Sequence, residues 1–381
     1  MPLGGYSSVL PKNSRVFSRA RHAYPGILRG LTRATRAPKA RPDPMSIRQP
    51  LRLEPIFLEK IWGGRALQPV VPEDLPTDKN IGEAWCLTDR EEATSLVAEG
   101  PFMGRTLGGL MLSEQEALLG KTQPDPDGSF PLLLKLLDAR KNLSIQVHPD
   151  HATAQRMGPS HAGKDECWLV LTAEKGAEVF LGLSEGTTAS QFAEAAGTSD
   201  VVELMTSYPV RAGDFVRVPA GTVHSIGKGL VIVEVQQNSD TTFRIYDWDR
   251  KGLNGELREQ HVEPALKSIL YDQAGLKPGP PEWREEGANM RAPLFEDESY
   301  AGELLRVHEM LTRDTNNYAG ALHVISGQGR IRVRGEDENQ SWSISSGQTW
   351  LLPADLGAHD LLPEDGDFQV LAMRSFKGRQ S

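Results

Sequence analysis

Two stretches of this chain carry residue types and spacings suited to chemistry. In Gly213-Asp-Phe-Val-Arg-Val-Pro-Ala-Gly-Thr-Val-His224, a glycine opens a strand, a proline ends it, a second glycine turns the chain, and a histidine follows. Turn geometry accounts for the Gly and Pro residues but not for His224. In Leu143-Ser-Ile-Gln-Val-His-Pro149, strand alternation puts Ser144, Gln146 and His148 on one face and Ile145 and Val147 on the other. If the polar face is enclosed it requires a partner, either a metal or a polar ligand. The plainer alternative is a half-buried strand with that face in water. Glu166 shares a strand face with Trp168 and Val170. His148, His224 and Glu166 are suitable zinc ligands that leave a position open, and the amide oxygen of Gln146 would raise the coordination number.

Further groups stand nearby in sequence. Arg244 is expected on one strand face with Thr242 and Tyr246, where its permanent charge stabilises oxyanions or steers a hydroxyl. Glu234 sits in the apolar run Val-Ile-Val-Glu-Val-Gln, as a proton shuttle, a hydroxyl acceptor or an ion-pair partner of Arg244. Lys135 is the one charge in the apolar run from Phe130 to Leu137, either snorkelling or lining an anion pocket. Trp62, Trp85 and Trp168 are expected in the core, and Cys167 packs on the face opposite Glu166. His151 and His161 follow turn-like residues and are expected in solvent; His261, ahead of a helix, has a weak claim to a site.

The elements that must position these groups are mostly strands. Leu51 to Gly64, Ile81–Leu87, Phe130–Asp138, Gly163–Leu171, Asp214–Val218, Leu230–Gln236 and Thr241–Tyr246 have strand character. Helices are expected over Arg105–Leu119, Thr187–Ala196, part of Val201–Ser207, and Glu263–Tyr271. Residues 273–286, rich in Gly and Pro, have the composition of a linker. After them come short strands at Gly302–Leu311, Tyr318–Ser326, Gly329–Val333, Ser341–Ile344, Gln348–Leu352 and Asp367–Met373, in the manner of a sandwich or barrel.

Composition sets the outer bounds. The net charge of −9 is uneven: residues 1–44 hold nine Lys/Arg and one acid, leaving 33 basic against 50 acidic residues, or −17, in the body. That body is a poor general surface for nucleic acid. The basic leader reads as a disordered tail, an upstream start ahead of Met45, or a targeting peptide. There is no apolar run long enough to span a membrane. The two cysteines, Cys86 and Cys167, lie in apolar segments, which favours a reducing cytoplasm over a disulfide scaffold.

The Gly213–His224 pattern resembles the second cupin motif, G-x5-P-x-G-x2-H, whose histidine is a metal ligand. Together with Leu143–Asp150, Gly163–Trp168 and Glu234–Asp247, in that order, it resembles type I mannose-6-phosphate isomerases, in their short bacterial form. Lys60-Ile-Trp-Gly-Gly64 and Gly82-Glu-Ala-Trp85 extend the likeness, which runs from about Leu51 through Tyr271 and weakens beyond. The resemblance implies a mainly β chain: two cupin-type β-barrels (jelly rolls) in tandem, with a small helical portion in or beside the first. A catalytic domain would span 45–272, a linker 273–286, and a barrel without metal 287–381. It implies one Zn2+ per chain on Gln146, His148, Glu166 and His224, an essential Arg244, and phosphate contacts around Ser144 and Lys164. Arg250 stands where eukaryotic members have a lysine and is the weaker phosphate contact, since guanidinium geometry differs from ammonium. With Lys135 and Glu234 these complete the candidate site. The implied reaction interconverts mannose 6-phosphate and fructose 6-phosphate through a cis-enediol, in a cytoplasmic monomer or weak homodimer that needs neither nucleic acid nor membrane. A cupin oxygenase with iron on the same ligands, and a non-catalytic sugar-phosphate sensor, are the alternatives. The loosened turn Gly347–His359 marks the second barrel.

Overall fold

The most buried strands organise the molecule: Ile81–Leu87, Leu132–Ala139 and Leu230–Gln237 hide both faces and must therefore lie between layers. The computed structural model describes residues 47–158, 161–273, 275–335 and 340–377, so the basic leader falls outside the described residues. In the first half, one antiparallel sheet runs in the order Phe215–Val218, Glu166–Ala173, Leu230–Gln237, Leu132–Ala139, Ile81–Leu87, Ile56–Gly64. Facing it is a second sheet in the order Met205–Pro209, Glu178–Leu183, His224–Ile226, Ile145–Val147, Phe243–Tyr246. Trp62, Trp168, Val179, Leu181, Val216 and Ile232 fill the space between these two sheets.

The second half repeats this plan. Thr349–Leu352, Gly320–Ser326, Gln369–Ser375, Tyr300–Arg306, Asn289–Glu296 and Arg284–Glu286 form one sheet, in that order. Ser341–Ser345, Gln328–Val333, Ala358–Pro363 and Leu311–Asp314 form its partner. Taken in chain order, ten strands of the first half find a counterpart at the same sheet position in the second. These are tandem jelly rolls, each a pair of facing sheets rather than a closed hydrogen-bonded barrel.

The halves share a core. Ala84, Leu134, Leu136, Cys167 and Val233, on the outer face of the first six-stranded sheet, pack with Tyr300, Leu304, Ala321, Leu351 and Met373 of the second. Leu51–Leu53, expected to begin the first half, instead adds an edge strand beside Thr349–Leu352. The stretch expected as a linker also carries order: Gly279 bridges to Phe215, and Arg284–Glu286 pairs with Asn289–Met290-Arg291. The outer face of the five-stranded sheet is covered by short helices, Ala189–Ala195 and Val262–Ser268, through Ile145, Val147, Phe192, Phe243 and Ala265. The helix expected at 105–119 is two, Leu107–Ser113 and Gln115–Leu119, broken at Glu114. Residues 201–207 divide between a short 3-10 turn and a strand. A helix missed in the sequence, His151–Met157, follows directly on the His148 strand, with Asp150 accepting from the Thr153 N–H at 2.6 Å as its N-cap. No helix among the described residues is long and apolar enough to cross a membrane.

Candidate metal centre

The site lies between the two sheets of the first jelly roll, and strand register assembles it. Gln146 is directly opposite His224 on one neighbour and Arg244 on the other, so three strands present one row of polar side chains. From the facing sheet, Glu166 stands in register with Val218 and Gln236, and Trp168 with Glu234, which in turn faces Lys135. The turn expected before His224 is present: Gly221 has φ +83°, and its N–H donates to the His148 carbonyl at 2.7 Å. That bond ties the two histidine strands together.

His148, Glu166 and His224 offer ligand atoms that all lie within 4.8 Å of one another. His148 Nε2 is 3.2 Å and His224 Nε2 3.3 Å from the two Glu166 oxygens. Each imidazole donates its Nδ1–H to a backbone carbonyl, His148 to Thr241 at 2.8 Å and His224 to Thr222 at 2.9 Å. Those bonds fix the tautomer that leaves both Nε2 lone pairs facing Glu166. Trp168 Nε1 donates to Glu166 Oε1 at 3.2 Å, a supporting contact signalled only by a Trp two residues on along the same face. The Gln146 amide is 3.2 Å from His224 Nε2, and Ser144 Oγ donates to Gln146 Oε1 at 3.0 Å.

Electrostatics matches this donor set. Burial, then the Lys164 ammonium, pushes His148 down to about 4, and burial likewise lowers His224. Both rings are therefore neutral at pH 7 and available as ligands. Burial alone would raise Glu166, but the Lys164 ammonium outweighs it and holds the carboxyl well below the usual range. Two neutral imidazoles, a carboxylate and an amide, with their second nitrogens already engaged, fit a divalent ion of the zinc class.

The remaining candidates fall in four places. Lys164 is inside the cluster, 2.6 Å from Glu166 Oε2 and 3.2 Å from His148 Nε2. Glu234 and Lys135 pair at 3.3 Å, and Lys135 also lies over the Trp85 ring at 5.2 Å. Burial and then the nearby Glu166 raise Glu234, whereas Lys135 is held above its ordinary value because Glu234 and Glu83 outweigh its burial. Arg244 donates Nη1–H to the Glu259 carbonyl at 2.8 Å, while its Nε is buried with no partner among the described residues. Arg250 is engaged by Asp247 Oδ1 at 2.7 Å and by the Asn142 carbonyl.

Some expectations change. A register shift after Arg244 sets Tyr246 opposite Ile145, so Tyr246 joins the packing face instead of sharing Arg244's side. His161 is half-buried edge-on to Phe243 at 5.5 Å, and His151 is likewise half-buried, not solvated. His261 gains a role: it exchanges backbone hydrogen bonds with Arg244, accepting the Arg244 N–H at Nδ1 (3.2 Å) and donating its own N–H to the Arg244 carbonyl (2.7 Å). Glu83, missed in the sequence, links Lys60 at 3.1 Å and the Trp85 indole at 2.7 Å into the Lys135–Glu234 network. A Glu-x-Trp pair in a strand was its only available signal.

Residues 51–182 match the family described as phosphomannose isomerase type I, catalytic domain. Over 332 residues the chain is 34% identical to the mannose-6-phosphate isomerase of Streptococcus mutans, spanning 84% of this chain and 98% of that protein. It is 39% identical over 221 residues to mannose-6-phosphate isomerase ManA of Bacillus subtilis, 58% of this chain and 68% of that one. Among solved structures, the mannose 6-phosphate isomerase from Bacillus subtilis matches with a TM-score of 0.76 at 28% identity, covering 85% of this chain and 99% of the other. A putative mannosephosphate isomerase from Archaeoglobus fulgidus matches at TM-score 0.66 and 17% identity, covering 87% and 98%, a likeness of fold.

Proposed function

The chain belongs to the type I mannose-6-phosphate isomerase family, and on that premise we propose that it interconverts mannose 6-phosphate and fructose 6-phosphate with one zinc ion per chain. The observation that carries the metal is the pair of Nε2 lone pairs aimed at Glu166, each ring held from behind by a backbone carbonyl. Gln146 would complete the ligand set through its amide oxygen, and Ser144, which donates to that oxygen here, can equally accept from the amide nitrogen. Bound there, a divalent ion supplies Lewis-acid stabilisation to oxygens of the opened sugar.

The chain's own residues supply the rest. Aldose–ketose interconversion moves a proton between C1 and C2 through a cis-enediol, and negative charge develops on the sugar oxygens. Arg244, beside Gln146 with an unpartnered Nε, donates to such an oxygen. Glu234, its carboxyl raised, is suited to hold and return the proton, and Lys135 orients it. Lys164 neutralises Glu166 and serves as a donor to the substrate. Ser144 and, more weakly, Arg250 remain the phosphate contacts of this reading; Arg250 would have to share its donors with Asp247. An oxygenase draws less support, because the buried cations Lys135 and Lys164 with Arg244 suit an anionic intermediate rather than dioxygen.

The test is a coupled assay with mannose 6-phosphate on protein as purified, after chelation, and after zinc is restored. Turnover that disappears on chelation and returns with zinc is expected. Turnover indifferent to chelation would overturn the metal role, and no turnover in any state would favour a sensor.

A further inference from the structure

The second jelly roll holds a partly open cavity of about 570 Å³ between its two sheets, well within the size range of small-molecule sites at about 300–1,000 Å³. Its position is the counterpart of the metal centre. In the first half, His224 is in register with Gln146, and Glu166 with both Val218 and Gln236. In the second half, His359 is in register with Arg313, and Gly320 with both Leu352 and Arg374. The two histidines even share a local bond: His359 Nδ1 donates to the carbonyl two residues back, Gly357, at 3.0 Å, as His224 does to Thr222 at 2.9 Å.

At these matched positions the chemistry is inverted. Gly320 stands for the ligand carboxylate, Arg313 for Gln146 and Arg374 for Gln236. One strand pair further on, Ala372 opposite Glu303 replaces Glu234 opposite Lys135. All of these line the cavity. Two guanidiniums and no central carboxylate are a poor set for a cation and a good one for an oxyanion. Arg313 spends its two Nη groups on Glu286 at 2.8 Å each, which fixes the guanidinium, and leaves Nε buried with no partner among the described residues. Arg374 touches the Asp314 carbonyl at 3.1 Å and has no carboxylate partner among the described residues. Glu303, paired with Arg291, and Asp314 supply acceptors on the remaining wall.

We propose that this cavity is a second ligand site, separate from the metal centre, for a small hydroxylated phosphate monoester. Arg374 and Arg313 take the phosphoryl oxygens, and Glu303, Asp314 and the Nε2 lone pair of His359 accept from the hydroxyls. The proposal does not depend on what the first site catalyses.

It is tested on the zinc-loaded full chain by calorimetric titration with inorganic phosphate and with a hexose 6-phosphate, a neutral hexose serving as the control. A phosphate-dependent binding event is expected that weakens about tenfold or more in Arg374→Glu and is largely retained in Arg374→Lys, with turnover of mannose 6-phosphate little changed in either. Arg313→Gln weakens the same event and stands in should Arg374→Glu fail to fold. Phosphate affinity unchanged in folded Arg374→Glu and Arg313→Gln, or neutral hexose binding as tightly as its phosphate, would overturn the assignment.

Discussion

Glu166 is the residue on which the first site turns. A carboxylate with almost no exposure would cost several kcal/mol if left alone, and here Lys164 at 2.6 Å and two imidazoles surround it. Removing it leaves Lys164 buried without its partner, so Glu166→Gln is a test of stability as much as of metal binding. Arg244 offers the cleaner separation of roles. It is half-buried, bonds only a backbone carbonyl through its side chain among the described residues, and lies beside the ligand row instead of within it. Arg244→Ala is expected to retain its zinc, measured by elemental analysis, while kcat falls about 100- to 1,000-fold, the scale of losing one transition-state donor. Loss of zinc in that variant would mean that the arginine holds the metal site together and does no chemistry of its own.

Among the elements, the turn between Phe215–Val218 and His224–Ile226 matters most. Gly221 adopts a left-handed conformation, and a Cβ there would meet the Leu270 side chain at 2.5 Å. Gly221→Ala is expected to cost about 1–2 kcal/mol from the backbone conformation alone, with further loss from displacing Leu270. Since the Gly221 N–H also anchors the His148 carbonyl, zinc affinity should fall with stability. Unchanged zinc affinity, measured with a competing chelator, would show that the turn does not set the spacing of the two histidines. The register shift after Arg244 is the second device of this kind. It lets one strand send Arg244 to the site and both Ile245 and Tyr246 to the packing face. Trp248 and Asp249 follow with φ of 58° and 50°, strained for non-glycine residues, and Trp248 Nε1 donates to the Leu143 carbonyl at 2.7 Å.

At the scale of the molecule, one core joins both jelly rolls, and its polar inclusions set a pH limit. His323 is buried at the shared interface, donates or accepts at Thr349 Oγ1 (2.9 Å), and burial pushes it down to about 4. A histidine depressed in the folded state stays neutral while its unfolded counterpart, near 6.5, takes up a proton. Its contribution to stability is therefore complete above about pH 6.5 and is lost as the pH falls towards 4. His323→Leu is expected to flatten the decline of Tm across that window; an unchanged slope would remove His323 as a cause. The shared core also bears on cooperativity. Because Leu134, Cys167, Tyr300 and Leu351 belong to one cluster, thermal unfolding followed by tryptophan fluorescence and by circular dichroism should give one coincident transition. Two separated transitions would show that the halves fold independently.

Local chemistry made much of this protein legible in its sequence. Strand alternation set Gln146 and His148 against Ile145 and Val147, and turn residues marked Gly213, Pro219, Gly221 and His224, because both effects act over a few residues. The mainly β, tandem jelly-roll architecture followed from the same signals together with the family resemblance. What the sequence left open was decided by contacts between distant strands. Lys164, assigned to the phosphate, stands against Glu166 and His148; Leu51–Leu53 joins the second half; the shift after Arg244 turns Tyr246 away from the site. The inverted cavity around His359, Arg313 and Arg374 belongs to this class, since register, not spacing, reveals which residues replace which. Hydrogen-bonded pairing across sheets carries no fixed offset along the chain, so only the folded structure brings those residues face to face.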